Sequence, residues 1–522
     1  MTTSEKSRPG AVLAVMCLAV FTVNVDTTIV NVTLPTLVRD LGATTRDLQW
    51  IVDSYLLVFA ALVLAGGSLS DRYGRRLALV VGLAVFGLGN ALAALCTTPD
   101  QLIVARAFTG IGAALVFPTT LSILTQVFTD RAARAKAIGL WGASTGLAVA
   151  FGPITGGALL QQFWWGSTFL VKLPVALVTI ALVVALVPES KDPAAPRLDR
   201  PGLVLSALGL GLLVYTIIEA PERGWTSAAT AGGVVVAAVL FAAFIHRETR
   251  TPEPMLDVSL FADRRFTAAS LAITVAFFAL FGFIFLITQY FQFLRGYSPL
   301  ETGLRILPVA VCVAAGSIAG TLLVVRLGNK LVVTTGLLLL AIGYAWVSTA
   351  SNSTGYGEIV VQMVFLGLGM GLTSAPATES IMGAVQSDKA GIGSAVNDAT
   401  RELGGTLGVA VIGSVFASLY AARLDDLPGA VPVDAAQAAG ESIGAALTVA
   451  GSLPTQAGAA VRDAAALGFF DGLQAGCLVA SAVALLGAVV AGIALPARPP
   501  AEVDLLTVHN ATHLRRAADS NV

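Results

Sequence analysis

The chain has 522 residues, 56% hydrophobic and 12% charged, with mean hydropathy +0.82 and formal net charge −1. Soluble domains carry about 25% charged residues, so the polar surface that a water-soluble fold of this size requires is missing. No basic arm or patch points to nucleic acid, and the apolar residues run in long blocks, which defines an all-α integral membrane class.

Charged residues and Pro/Gly punctuation divide the chain into fourteen predicted spans. The first, 11–34, follows Lys6 and Arg8 and so mimics a signal peptide. It is too long for an h-region, contains Asp26 and lacks a small-residue cleavage site, and is therefore expected to be retained. Five more follow at 49–69, 77–96, 101–125, 137–160 and 168–187, then a pair at 201–219 and 228–246. The last six lie at 266–293, 302–325, 332–350, 358–384, 392–420 and 468–495. With the N-terminus in the cytoplasm, 22 of the 31 Lys and Arg residues are cytoplasmic and 7 are external, with Arg106 and Lys172 inside spans. That bias predicts both termini in the cytoplasm of a bacterial inner-membrane protein. Connections are short except 421–467, an external Ala- and Gly-rich stretch that could hold an amphipathic hairpin or lie loose. Cys17, Cys96, Cys312 and Cys477 are widely spaced in apolar blocks, so they read as core residues rather than a disulfide framework or a metal site.

An internal echo adds organisation. Gly67-Ser-Leu-Ser-Asp71-Arg72-Tyr73-Gly74-Arg75-Arg76 joins spans two and three, and Gly320-Thr-Leu-Leu-Val-Val-Arg326-Leu327-Gly328-Asn329-Lys330 joins spans ten and eleven. Both contain Arg-x-Gly-x-(Arg/Lys) after a helix end of small residues, although the second lacks the aspartate. Two six-span halves related in this way, with spans seven and eight between them, form an architecture of transporters that rock around a central site.

The Asp71 to Arg76 loop resembles the cytoplasmic loop motif of the major facilitator superfamily. Asp26-Thr-Thr-Ile-Val-Asn31-Val-Thr-Leu-Pro35, Arg106-Ala-Phe-Thr-Gly110-Ile-Gly112 and Gly152-Pro153-Ile-Thr-Gly156-Gly157 are similar to motifs of its fourteen-span drug:proton antiporter branch. Gln49 to Tyr55 and Gly391 to Gly408 also look like that branch, so the resemblance covers nearly the whole chain. It implies a major facilitator fold of two pseudo-symmetric six-helix bundles plus two inserted helices. The expected domains are an N-tail (1–10), an N-terminal bundle (11–187), a linker with the two extra spans (188–265), a C-terminal bundle (266–495) and a cytoplasmic tail (496–522).

The residues supply chemistry beside the resemblance. An ionised aspartate at a span centre costs about 2.5–3.5 kcal/mol on insertion scales, so Asp26 should be neutral, paired or facing water, and each option suits a proton carrier. Asp53 and Arg106 lie at similar depth, which suggests one proton-coupling network, with Glu379 beside Pro376 as a candidate in the second half. Asp71, Arg72, Gly74 and Arg75 are expected to gate, because topology alone needs neither the acid nor the glycine. Gly152, Pro153, Gly156 and Gly157 let helices approach closely and bend. A wall of aromatics (Trp141, Phe277, Phe278, Phe281, Phe283, Phe285, Tyr290, Phe291, Phe293) with Asn31 and Gln289 is the candidate substrate surface. Lys172 and Glu219, near span ends, read as snorkelling side chains. Asn397, Asp398, Arg401 and Glu402 read as a satisfied polar helix end.

The expected function is export of amphiphilic, often cationic, compounds in exchange for protons by alternating access. The alternative is a dedicated exporter of one endogenous metabolite or antibiotic. No cofactor is expected beyond the proton gradient, and the lipid bilayer and a monomeric state complete the expectation. An enzyme is disfavoured by the lack of metal-ligand spacing and of a nucleophile motif, and an ATP-driven pump by the lack of a soluble nucleotide-binding domain.

Overall fold

The structure, a computed structural model, describes residues 9–191, 198–252, 254–385, 390–425, 427 and 431–496, with the side chains of 131, 132, 135, 145 and 390–392 excluded. The expected tails therefore lie outside the described residues, apart from residues 9, 10 and 496. The described residues contain no strand, and fourteen of their helices are long and apolar enough to cross a membrane.

The first group is α1 (Pro9–Leu41), α2 (Thr45–Tyr73), α3 (Arg75–Ala94), α4 (Pro99–Val127), α5 (Arg131–Gln162), a short α6 (Ser167–Leu170) and α7 (Lys172–Leu186). A hairpin of α8 (Arg200–Arg223) and α9 (Ala228–Glu248) follows. The second group is α10 (Arg264–Gln289), continued by a π-helical turn Tyr290–Leu294, then α11 (Pro299–Leu327), α12 (Asn329–Val347), α13 (Tyr356–Ala384) and α14 (Ala390–Asp425). Two short helices, α15 (Val433–Glu441) and α16 (Ile443–Ser452), precede α17 (Thr455–Ala494).

Local chemistry sets many of the ends. Thr44 and Ser298 begin α2 and α11 with capping boxes closed by Asp47 and Glu301. Thr98 caps α4, with Pro99 in its first turn. Gly74 (φ 121°) and Gly328 (φ 81°) each form the whole break between two helices, in a backbone region where a side chain would be strained. Helices extend past the predicted spans because hydropathy registers only the apolar segment. α17 begins at Thr455 rather than 468, so the described residues of the stretch 421–467 lie mostly in the end of α14, in α15 and α16, and in the first turns of α17.

Packing reveals the repeat that the loop echo suggested. α1 packs on α4, α5 and α7, and α10 packs on α13, α14 and α17. α2 and α3 pack on α4 as α11 and α12 pack on α13, and α3 meets α7 as α12 meets α17. The same correspondence exchanges the two seams between the halves, α2 against α14 and α5 against α11, as an approximate two-fold requires. The α8–α9 hairpin lies outside this scheme, with α8 against α2 and α14.

The end of the bundle carrying Gly74 and Gly328 is termed the motif end. At the far end both seams are shut. Gln49 of α2 donates to the carbonyls of Val409 and Ala410 (3.4 and 3.2 Å) and to Ser414 (3.2 Å) on α14. A Cβ added at Gly157 would lie 2.5 Å from Leu300 Cα, and Gly303 abuts the Pro153 backbone. Gln292 donates to the Val32 carbonyl (2.9 Å), joining the π turn to α1. Over this end, Gly444 of α16 wedges between Val38 and Phe293, one from each half. Toward the motif end the glycine face of α5 is open, since a Cβ at Gly139, Gly142 or Gly146 would meet nothing within 4 Å, while Trp141 holds the helix to α4.

Candidate functional site

α1 needs close neighbours to bury its polar residues, and the glycines of α5 allow them. Gly152 abuts Thr28, whose hydroxyl donates to the Ala148 carbonyl (3.3 Å), and a Cβ at Gly156 would lie 2.7 Å from Ile29 Cγ1. Gly157 faces the other way, onto the start of α11. Small residues in this motif therefore join α1 and the C-terminal half to opposite sides of one helix, with Pro153 at the contact with Gly303.

This packing leaves Asp26 wholly enclosed, at 0% exposure. Arg106 Nη1 of α4 donates to its Oδ2 at 2.5 Å, and Lys172 Nζ of α7 donates to Oδ1. Arg106 and Lys172 are 1% and 2% exposed. Arg106 Nε also donates to the Ile51 carbonyl (3.2 Å), and its guanidinium lies 4.2 Å from the centre of the Tyr55 ring. Lys172 lies 4.7 Å from the Phe169 ring centre. One carboxylate thus meets two cations in a buried core.

Lys172 overturns the snorkelling expectation. A lysine near a helix start ordinarily reaches back toward the interface, but here its ammonium turns inward to the carboxylate of α1. Sequence reading missed it because hydropathy gives depth along a helix but not the partner across from it. The available signal was charge balance, for Arg106 and Lys172 are the two cations inside predicted spans of this half, where Asp26 and Asp53 are the acids. Asp53, expected in the same network, is also fully buried, but among the described residues neither carboxyl oxygen has a hydrogen-bond partner. Two residues from both Ile51 and Tyr55, it projects from the other side of α2.

Across the seam, α14 supplies a second polar group. Thr378 donates to Asn397 Oδ1 (2.9 Å), and Asn397 Nδ2 donates to Asp398 Oδ1 (3.3 Å). Asp398 Oδ2, Arg401 Nε and Glu402 Oε2 are buried without hydrogen-bond partners, and the Arg401 guanidinium lies 4.9 Å from the Phe277 ring centre. These residues are not the satisfied helix end expected, because burial leaves three of their polar atoms unbonded. Tyr55 lies within electrostatic reach of both Asp26 and Glu402.

The other candidates are dispersed. Glu379 is exposed on α13. Asn31 is buried, with its amide on the Thr27 carbonyl (3.1 Å) and Oδ1 unbonded. Gln289 donates to the Phe285 carbonyl (3.1 Å). Trp141 is fixed by a hydrogen bond to Thr120 (3.1 Å) and packs edge-on to Phe117. Tyr290 accepts from Arg295 Nε (2.7 Å) and packs among Phe291, Phe469 and Phe470 near the far end.

In the loop motif, Asp71 Oδ1 accepts from Arg75 Nε (2.8 Å) and Ser122 Oγ (2.9 Å), while Arg72 is exposed. A Cβ at Gly74 would strike Glu189, whose carboxylate accepts from the first amides of α3 at Arg76 (3.1 Å) and Leu77 (3.3 Å). Glu189 was not anticipated; an acid just after the sixth span, free to satisfy a helix N-terminus, was its signal. The equivalent break in the second half joins Asn329 to Ser380 (2.6 Å). Glu219 is likewise no snorkelling side chain, for it is buried on α8 and pairs with Arg46 Nε of α2 at 2.7 Å.

Two related helical halves, seams that close at one end and a buried charge cluster between helices define a multi-pass secondary membrane transporter. The chain belongs to the Major Facilitator Superfamily, which it matches over residues 16–409. It is 36% identical to the "Multidrug efflux pump LfrA" of Mycolicibacterium smegmatis over 94% of this chain and 97% of the relative. Identity to the "Methyl viologen resistance protein SmvA" of Salmonella typhimurium is 34%, over 88% and 92% of the two chains. The fold is similar to a bacterial homologue of the human lysosomal transporter Spinster in an inward-facing, occupied conformation, with TM-score 0.64, 19% identity and coverage of 94% and 98%.

Proposed function

We propose that the protein exports amphiphilic, often cationic, compounds across a bacterial plasma membrane in exchange for protons. The observation that carries this reading is the Asp26–Arg106–Lys172 cluster, because charge enclosed at bilayer depth is costly unless it works. The names of the relatives support it. One is a multidrug pump, and the other confers resistance to methyl viologen, an organic dication.

In this reading the motif end faces the cytoplasm, both termini lie there, and the arrangement described is open inward. A substrate enters from the motif end and reaches the region between Tyr55 and the α14 acids. Asp398 and Glu402 attract a positive charge, and Phe277 and Phe281 of α10 offer apolar and aromatic faces, each cation–aromatic contact contributing about 0.5–2 kcal/mol. The Gln49 and Gly157–Gly303 seams then part, while the Asp71–Gly74 loop, held to Ser122 and Glu189 within its own half, engages the other half. Asp53, buried without a partner, is a second place for a proton. One charge falling through 100 mV yields about 2.3 kcal/mol, so the proton gradient is the energy source and no bound cofactor is needed. The protein works as a monomer.

Everted vesicles containing the protein should accumulate ethidium when energised, and collapse of the pH and voltage gradients should release it. Accumulation that ignores both gradients would remove proton coupling, and none in any condition would remove export of this substrate class.

A further inference from the structure

One cation neutralises one buried carboxylate, yet Asp26 touches two. With all three groups charged, the cluster holds one positive charge in excess where no member is more than 2% exposed, and an uncompensated buried ion is unfavourable. Arg106 cannot relieve it, because a guanidinium stays protonated in proteins, and it is braced by the Ile51 carbonyl and the Tyr55 ring. Asp26 is least able to take a proton while both its oxygens accept from cations. Lysine is the member whose charge is removable, as its ammonium loses a proton readily once desolvated.

We propose that Lys172 is the group that carries the exchanged proton, with Asp26 as its fixed counter-ion and Arg106 as the brace that keeps Asp26 ionised. The proposal rests on the proton-coupled reading above and names the exchanging atom, Lys172 Nζ. The charges facing it are limited. α1 presents Asp26 and α4 presents Arg106, while α6 presents the Phe169 ring. α3 also packs on α7, but its ionisable residues, Arg75 and Arg76, lie in its first turn at the motif end, whereas Lys172 starts α7 at the far end.

The exchange balances simply. An N–H bond of the Lys172 ammonium breaks and its proton passes to water, leaving a neutral amine that still donates to Asp26. In the opposite orientation a hydronium ion returns a proton and the N–H bond reforms. A cationic substrate near Glu402 adds positive charge to the same region and raises the cost of the excess charge, so substrate entry and proton release favour each other. Substrate and proton thus compete without sharing a binding atom.

The test uses the purified full-length protein in weak buffer with a pH-indicator dye and ethidium as probe. Wild type should release about one proton per ethidium bound, the value set by the single removable charge. Lys172→Arg keeps a permanent cation and Lys172→Met removes it. Both should bind ethidium and release none, and the pH dependence of wild-type binding should be flat in each. Proton release from either variant at the wild-type level would overturn the proposal. Loss of ethidium binding in both, with thermal stability intact, would assign Lys172 to the ligand site and also overturn it. If wild type binds ethidium without releasing protons, the proton-coupled reading itself fails, a result separate from failure in the variants alone.

Discussion

The two halves share a skeleton and differ in what they bury at its centre. In the N-terminal half, Asp26, Arg106 and Lys172 from three helices form a closed, hydrogen-bonded charge cluster with one cation in excess. α10, the counterpart of α1, carries no acidic or basic residue between Arg265 and Arg295, and this stretch is rich in phenylalanine. Its half holds charge on α14 instead, where Asp398 and Glu402 keep unbonded oxygens and Arg401 meets an aromatic ring. A cluster with one removable cation in excess suits cycling a proton, whereas unsatisfied acids among aromatics suit a guest that brings its own positive charge. The approximate two-fold supplies the rocking, and the broken chemical symmetry divides the labour.

That division can be broken most severely at Asp26. Asp26→Asn leaves two buried cations facing no anion, which should cost about 3–5 kcal/mol of stability and abolish accumulation of ethidium in energised vesicles. Adding Lys172→Met should restore part of the melting temperature but not transport; no recovery would mean that the excess charge is not the source of the instability. On the other side, Glu402→Gln should weaken ethidium binding about tenfold, close to 1.4 kcal/mol, in a fluorescence titration and leave a neutral substrate unaffected. Equal loss for neutral and cationic compounds would assign Glu402 to structure. At the seams, Gly303→Val must push α11 from the Pro153 backbone and should open the far end. A cysteine there would then react several-fold faster with an external maleimide, and an unchanged rate would show that the seam is not closed as described. The mildest expected change is at Glu219, whose partner Arg46 is half exposed. Glu219→Gln should lower the melting temperature by only about 1–2 °C, in line with a pair worth about 1 kcal/mol.

Fourteen helices and the repeat were legible because hydropathy and the Gly74 and Gly328 loops are local signals. Asp26 and Arg106 were legible as charges too deep to be incidental. Lys172 and Glu219 were not, because each sits near a predicted span end, where the interface is the cheaper destination. Only the tertiary neighbours, Asp26 for one and Arg46 for the other, turn them inward. The α14 acids were misjudged for a related reason. Residues 397–402 fall in the first turns of both the predicted span (392–420) and the helix (Ala390–Asp425), but neighbouring helices bury polar atoms of Asp398, Arg401 and Glu402 and leave them unbonded. Asp53 shows the converse, since similar depth placed it in the network and its angular position on α2 takes it out. Depth can be read along a chain, but facing cannot.

Proton exchange by the buried cluster is tested most directly in proteoliposomes, by following the steady-state ethidium gradient as the imposed pH difference is raised. For one proton exchanged per singly charged ethidium, the gradient should grow about tenfold per pH unit with wild type and stay flat with Asp26→Asn. A wild-type gradient that does not respond to the pH difference, or an Asp26→Asn gradient that rises as steeply, would contradict it.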